Sequence, residues 1–232
     1  MLRVQRQVSP QVEHVRGKMQ LYIYGDFHRH YTFTLARNWE SQSATEHVRI
    51  DFESPTTTPD PESREQGNTR YLLKRVAHRP PAQWVYTSGK GRVRVFPYQP
   101  SDRLLQSQLW FYDLTTITNL DDFTYAFNDA DAERPVIDGT PREGITPYTA
   151  VRFRLERRGD TYLIMSVIYT SERGPREATY SGYQEIAPGW FRPQRLVVRD
   201  GETERTDITY QEWQLSVATP DVFNVSKLGT TN

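Results

Sequence analysis

Two histidines and an aspartate recur at every second position near residue 26, a spacing that can present metal ligands on one face of a β-strand. They are Asp26, His28 and His30. Imidazole and carboxylate groups are common zinc ligands, and side chains two residues apart in a strand point to the same side. No second cluster of this kind in the sequence completes a coordination sphere. We therefore favour a polar strand end beside the turn at Gly25 over a metal site.

An acidic stretch, N-D-A-D-A-E at residues 128–133, superficially resembles a calcium-binding loop. An EF-hand loop needs glycine at its sixth position and glutamate at its twelfth. Counted from Asp129, these positions hold Arg134 and Thr140, so the stretch predicts a solvated acidic loop. The sequence has neither a G-x-S-x-G motif nor a G-x-G-x-x-G motif, and it contains no cysteine. We expect no catalytic metal, no cofactor and no nucleophilic catalysis.

Aromatic residues are more informative about function. The chain has 14 Tyr, 10 Phe and 5 Trp, many of them between residues 84 and 127. Core packing explains part of this set, but a single sheet must bury one face, and few helices are predicted to cover it. A concave sheet that aromatic side chains line and leave partly unfilled forms an apolar cavity suited to an acyl chain. Six side chains are predicted along the wall or lid of this cavity: Phe33, Trp84, Trp110, Phe123, Phe127 and Met165.

The elements that position these residues are predicted to be mainly antiparallel strands. Apolar and polar residues alternate along most of the chain, and turn sequences follow one another about every 8–12 residues, which indicates a meander rather than βαβ units. The clearest turns are S-G-K-G at 88–91, R-G-D at 158–160 and R-D-G-E at 199–202. Strands are predicted over residues 18–24, 31–37, 47–52, 70–76, 83–87, 92–96, 150–157, 161–170, 177–186, 190–199 and 205–217.

Helical patterns are few. Residues 4–15 predict an irregular N-terminal helix broken at Pro10, and residues 116–128 predict a helix in which Asn119 or Asp121 caps the first turn.

Two polar stretches, residues 56–68 and 129–147, are predicted to be exposed loops that act as lids or as mobile excursions. No repeat and no composition shift marks a boundary. We predict one domain over residues 1–232, with about 17 N-terminal residues helical or mobile.

The charge balance excludes several classes of partner. The chain has 29 basic and 29 acidic residues, whereas nucleic-acid modules need a basic excess, so no nucleic-acid partner is expected. The longest apolar run, residues 162–169, is too short to span a membrane. Arginine pairs at 92 and 94 and at 152 and 154 are suited to anionic partners, but a solvated sheet face with acidic neighbours explains them better.

Short sequence pieces distributed along residues 18–228 carry a resemblance to a known family, and their order matters more than any single piece. They are F-E-S-P at 52–55, G-N-T-R-Y-L-L at 67–73, Q-W-V-Y at 83–86, R-V-R-V at 92–95, Y-Q-E-I at 183–186, G-W-F-R-P at 189–193 and P-D-V-F-N-V at 220–225. On these residues the chain resembles the LolA-like outer-membrane lipoprotein-sorting proteins of the LolA/LolB superfamily. Residues 104–131 depart from the family's usual pattern, in the region where cavity-covering elements are expected.

The resemblance implies an α+β, mostly β fold: one large antiparallel sheet curled into an open half-barrel, with one to three helices covering its concave face. It also implies a periplasmic protein whose signal peptide has been removed, and a cavity for lipid or for the acyl chains of a lipoprotein. The protein partners that the resemblance implies are an RND/MMPL-type transporter or an outer-membrane acceptor.

The function predicted from the sequence is therefore a non-enzymatic periplasmic lipid or lipoprotein carrier. Two alternatives stay open. One is an enzyme on the same half-barrel, which needs polar groups converging inside the cavity: His28, His30, Glu46 or Asp113. The other is a module that senses lipoproteins and signals through a partner.

Overall fold

The computed structural model describes residues 11–40, 42–53, 68–115, 119–142, 146–217 and 221–229, and most of them lie in β-strands. The strands are β1 (Gln11–Ile23), β2 (Asp26–Glu40), β3 (Thr45–Glu53), β4 (Thr69–Val76), β5 (Ala82–Thr87), β6 (Arg92–Val95), β7 (Phe123–Asp129), β8 (Val136–Pro141), β9 (Ala150–Arg158), β10 (Thr161–Ser171), β11 (Gly174–Ser181), β12 (Gln184–Ala187), β13 (Trp190–Arg192), β14 (Arg195–Asp200) and β15 (Glu204–Val217). The prediction of a mostly β protein is confirmed.

One antiparallel sheet contains 13 of these strands, in the order β6-β5-β4-β3-β2-β1-β15-β14-β11-β10-β9-β8-β7. The chain builds the first half outward from β1 to β6, crosses to the opposite edge at β7, and returns inward to β15. There β15 pairs with β1 over a long register, from Gln11 opposite Val217 to Ile23 opposite Glu204. β12 and β13 form a separate hairpin. Because β6 and β7 do not pair with each other, the sheet stays open.

The predicted helices are wrong where the structure describes them. In the described ranges there is no helix of seven or more residues, and the helical segments are short 3-10 turns. Residues 11–15 of the predicted N-terminal helix belong to β1, and residues 4–10 lie outside the described residues. In the other helix, residues 119–122 lie at a 3-10 turn and Phe123–Asp129 is β7. These residues form a strand paired with β8 instead of a helix, because their aromatic side chains also alternate with period two.

The structure tests only one of the two predicted loops over most of its length. Residues 129–147 are not wholly a loop, since Val136–Pro141 forms β8 between β7 and β9. Nearly all of residues 56–68 lie outside the described residues, and so do residues 143–145.

The described residues between β6 and β7, 96–115 and 119–122, run across one face of the sheet and are called the crossing segment below. The Phe111 ring packs on Tyr71 of β4 with centroids 5.5 Å apart, while the preceding Trp110 lies 4.2 Å from the guanidinium carbon of Arg176 in β11. β4 and β11 are six strand spacings apart, about 29 Å in a flat sheet. Consecutive residues can reach both strands only because the sheet curls around the crossing segment. This segment covers part of the concave face, where helices were predicted.

The main core lies between the crossing segment and strands β1–β4, β11, β14 and β15. Apolar residues at alternate strand positions, such as Val48, Ile50 and Phe52 in β3, point to the concave side and are buried. Leu104, Leu109, Phe111 and Leu114 of the crossing segment complete this core.

Phe33 belongs to this core and needs a glycine on the neighbouring strand. A methyl group added at Gly17 would overlap the Phe33 ring and lie 2.8 Å from the Thr209 carbonyl oxygen. We expect Gly17→Ala to lower the free energy of unfolding by about 1–3 kcal/mol, because overpacking forces side chains off their rotamers. Chemical denaturation measures this effect. The double variant Gly17→Ala/Phe33→Leu should recover part of the loss, and an unchanged midpoint for Gly17→Ala would show that Phe33 is not packed this way.

Candidate ligand-binding trough

A connected depression on the concave face, which we call the trough, extends beside the crossing segment. It has an outer cavity of about 470 Å³ over β7–β10, a narrow neck of about 70 Å³, and an inner chamber of about 260 Å³ bordered by the β12–β13 hairpin. Leu120 and Ile164 line all three parts, which shows that the parts adjoin. The outer cavity alone falls in the volume range typical of small-molecule sites.

Strand alternation makes the outer cavity apolar. Phe123, Tyr125 and Phe127 lie at every second position of β7 and line it together. The opposite wall comes from successive strands, with Ile137 in β8, Phe153 and Leu155 in β9, and Ile164 in β10. Because β7 is an edge strand, Phe127 stays 57% exposed and Tyr125 42% exposed. Large apolar side chains exposed at the mouth of an apolar cavity are typical of an entry site for an apolar ligand.

A glycine shapes this wall. A Cβ atom at Gly139 would lie 2.5 Å from Cγ2 of Val151 and 3.1 Å from the Tyr125 ring. The missing side chain lets Tyr125 lie across β8, where its hydroxyl donates to the Leu120 carbonyl oxygen at 2.8 Å.

The inner chamber combines apolar side chains with phenols. Tyr169, Tyr180 and Tyr210 line it from β10, β11 and β15. Burial raises the pKa of Tyr169 and Tyr180, and it raises the pKa of Tyr210 to about 12 against the opposing effect of the Arg37 cation. These phenols therefore stay protonated and uncharged at neutral pH.

The β12–β13 hairpin borders this chamber and is anchored to the sheet. Arg192 binds the carboxylate of Glu13 through two nitrogens, with an Nε–Oε2 distance of 3.0 Å. The Trp213 indole donates to the Pro193 carbonyl oxygen at 3.3 Å, and the Tyr183 hydroxyl donates to the Ile164 carbonyl oxygen at 2.5 Å. These contacts hold the hairpin against β1, β10 and β15.

Two buried arginines anchor the crossing segment, and the first is Arg176 of β11. Its Nη2 donates to the Gln108 carbonyl oxygen and lies 3.0 Å from Asp113 Oδ2, while its Nη1 donates to the Tyr148 hydroxyl at 2.7 Å. Burial opposes the charge of Arg176, but the Asp113 carboxylate together with Tyr148 and Tyr169 outweighs burial and raises the pKa of the guanidinium. Trp110 stacks on the Tyr148 ring at 5.2 Å and covers this cluster.

The second arginine, Arg75 of β4, binds the end of the crossing segment next to β7. It forms an ion pair with Asp122, and both side chains are fully buried. Its Nη1 also donates to Asn119, and the Tyr112 hydroxyl donates to Asp122 Oδ2 at 2.7 Å. Since Asp122 immediately precedes Phe123, this ion pair fixes the start of β7 and thereby the edge of the trough.

The six residues predicted along the cavity lie in different places. Phe123 and Phe127 line the outer cavity. Phe33 packs in the main core, and Trp110 is buried over Arg176. Trp84 alternates with Val85, which packs on the core, so Trp84 projects from the opposite face of β5.

Met165 is the remaining member of the set. It is half-buried at an irregularity in β10, where the pairing register with β9 shifts between Ile164 and Ser166.

Most of the trough wall could not be predicted from the sequence. The alternation over residues 150–157 does place Phe153 and Leu155 on one face of a strand, and that signal pointed to part of the wall. Nothing in the sequence distinguished Tyr169, Tyr180 and Tyr210 from ordinary strand tyrosines, because their meeting depends on pairing between distant strands.

The polar residues considered for catalysis do not converge in the trough. His28 is exposed, and His30 lies beside the Phe27 ring at 5.8 Å. The carboxylate of Glu46 is buried and lies 3.3 Å from the Arg37 guanidinium. Asp113 lines the neck of the trough, where its carboxylate is paired with Arg176. In the described ranges, no group of three His, Asp or Glu side chains could hold a metal ion. No helix in the same ranges is long and apolar enough to cross a membrane.

A larger cleft of about 970 Å³ lies elsewhere, beside residues 221–227. Its lining mixes opposite charges, and Arg49 there is bonded to Asp51 at 2.8 Å and to the Val222 carbonyl oxygen at 3.1 Å. Such a lining does not suit an apolar ligand, so the trough is the stronger candidate site.

Comparison with known proteins gives one family and several structural relatives. A family model described as an uncharacterized protein matches residues 60–230. Among curated proteins, no sequence matches the chain significantly.

Solved structures of similar fold come from three bacteria. A protein described as a putative outer membrane lipoprotein-sorting protein domain, from Vibrio parahaemolyticus, superposes with a TM-score of 0.80 at 14% identity, covering 96% of this chain and 93% of that one. A DUF1329 family protein from Desulfovibrio piger gives 0.79 at 18%, covering 94% and 91%. A LolA superfamily protein from Nitrosomonas europaea gives 0.64 at 16%, covering 92% and 90%. The resemblance found in the sequence is thus confirmed at the level of the fold.

Proposed function

We propose that this chain, which belongs to the family of uncharacterized proteins whose model matches its residues 60–230, is a lipid or lipoprotein carrier that holds acyl chains in the trough. The observation that carries the proposal is the apolar outer cavity of about 470 Å³, open along the β7 edge. Burial of each CH₂ group contributes about 0.8 kcal/mol, so an acyl chain in such a cavity binds without a charged anchor.

The structural relatives support a carrier. Two of the three are named for lipoprotein sorting or for the LolA superfamily. Each superposition covers more than nine-tenths of the present chain. A carrier of this kind works in the periplasm and receives its cargo from, or gives it to, an RND/MMPL-type transporter or an outer-membrane acceptor. The exposed rings of Tyr125 and Phe127 support an exchange route at the β7 edge.

The proposal needs no catalytic step. Release follows when a partner offers a better apolar site or narrows the trough, and the trough residues contribute packing rather than proton transfer. The scattered positions of His28, His30, Glu46 and Asp113 favour this reading over an enzyme.

The proposal is tested by native mass spectrometry of gently purified protein, together with titration of a fluorescent fatty acid. We expect co-purified lipid in the spectrum and saturable binding of the probe. If organic extraction releases no lipid and the probe does not bind, the carrier proposal is wrong.

A further inference from the structure

We propose that the inner chamber receives an uncharged, hydrogen-bonding end of the ligand, such as the ester or hydroxyl groups of an acylglycerol, in preference to a carboxylate or phosphate. This inference rests on the proposed function and specifies its ligand class. In this arrangement the acyl chain runs from the chamber through the neck into the outer cavity.

Hydrogen-bonding groups are concentrated at the inner end of the trough. Tyr169, Tyr180 and Tyr210 all line the chamber. A phenol can donate to an ester carbonyl and can also accept from a hydroxyl. In the outer cavity the phenol of Tyr125 already donates to the Leu120 carbonyl oxygen, and the rest of that wall is largely hydrocarbon. A ligand with one polar end is therefore matched in one orientation.

The charges that line the chamber are already paired. Arg37 lies 3.3 Å from Glu46, and Arg192 lies 3.0 Å from Glu13. Asp113, the acidic residue on this wall, lies 3.0 Å from Arg176. Because each cation has its own carboxylate, an incoming anion would be desolvated without a free positive partner, which is costly. An ester or a hydroxyl carries no net charge, and hydrogen bonds to the phenols compensate for its loss of water.

The protonation state of the phenols agrees with this selectivity. Burial raises the pKa of Tyr180 and raises that of Tyr210 to about 12, so both groups remain hydrogen-bond donors well above neutral pH. The chamber therefore presents neutral donors over the whole physiological range.

The test is competition for the full chain at pH 8 between ligands with the same twelve-carbon chain. Monododecanoylglycerol, dodecanoate and dodecane each displace the neutral fluorescent probe 1-N-phenylnaphthylamine. We expect the acylglycerol to displace the probe at a concentration about ten-fold or more below that of dodecanoate. In the double variant Tyr180→Phe/Tyr210→Phe the acylglycerol should lose about ten-fold in affinity while dodecane is unchanged, since the rings remain.

Tyr86→Phe is the matched control, because Tyr86 alternates with the core residue Val85 along β5 and therefore lies on the face opposite the trough. This variant should keep the affinity of the wild-type chain for every ligand. Equal or tighter binding of dodecanoate, or an unchanged acylglycerol affinity in the double variant, would overturn the inference and leave the carrier proposal standing. Failure of the probe and of all three ligands to bind would overturn both.

Discussion

Replacing Asp122 by alanine is expected to lower the free energy of unfolding by about 3–5 kcal/mol, because it leaves the fully buried Arg75 guanidinium without its carboxylate. The Tyr112 hydroxyl loses its acceptor in the same step. The change also frees the end of the crossing segment at the start of β7, so hydrogen exchange in β7 should accelerate. Chemical denaturation and amide exchange measure the two effects.

An exposed ion pair supplies the matched control. Arg152 Nε lies 2.7 Å from Asp138 Oδ1 on the solvated face of β8 and β9. Asp138→Ala should therefore change the free energy of unfolding by less than about 1 kcal/mol. The double variant Arg75→Met/Asp122→Leu, which removes both buried charges, should recover much of the loss. If Asp122→Ala costs no more than Asp138→Ala, the crossing segment does not depend on the buried pair.

Replacing Phe153 by glutamate is expected to weaken binding of an acyl probe by about 100-fold or more, equivalent to about 2.7 kcal/mol. Phe153 lines both the outer cavity and the neck, and the new carboxylate would stand on an apolar wall that an acyl chain must dehydrate. Titration with a fluorescent fatty acid measures the change.

The neighbouring Arg154 offers the control for this variant. Arg154 is exposed and alternates with Phe153 along β9, so Arg154→Glu adds a carboxylate on the opposite face of the same strand. It should bind the probe like the wild-type chain. A similar loss of affinity in both variants would indicate a general effect of charge or stability rather than a ligand on the concave face.

Most of the sheet could be predicted from the sequence, because its strands carry the period-two pattern and end at glycine-containing turns. Residues 150–157 and 161–170, for example, correspond closely to β9 and β10. The sequence of residues 116–128 was ambiguous, since its aromatic spacing fits both a helix and a strand. Pairing between β7 and β8 decides the matter, and that contact is not visible in a local window.

The crossing segment could not be predicted for a different reason. It has little regular structure, and Leu105 and Gln106 even adopt the left-handed backbone conformation at φ 48° and 62°. Its course is set by Arg176 and Arg75, which lie far away in sequence. Neither Arg75 nor Arg176 stands out among the many arginines of the sequence. Long-range ion pairs of this kind leave no periodic signal.

Part of the candidate site could be predicted from the aromatic residues of the sequence. Phe123 and Phe127 stood out as members of an aromatic cluster, and they line the outer cavity. Trp84 and Trp110 belonged to the same cluster, yet one projects from the far face of β5 and the other covers Arg176. Composition indicates that aromatic surface is available, whereas strand register decides which side of the sheet receives it.

Occupation of the trough by an acyl chain is tested most directly by site-resolved photo-crosslinking. A fatty acid that carries a diazirine at its chain end would be bound to the full chain, irradiated, and mapped by peptide mass spectrometry. We predict that the modified residues fall in β7–β10, at side chains such as Phe127, Phe153 and Ile164, and that excess unlabelled lipid suppresses the labelling. Labelling confined to the outer face, or labelling that excess lipid does not reduce, would contradict the account.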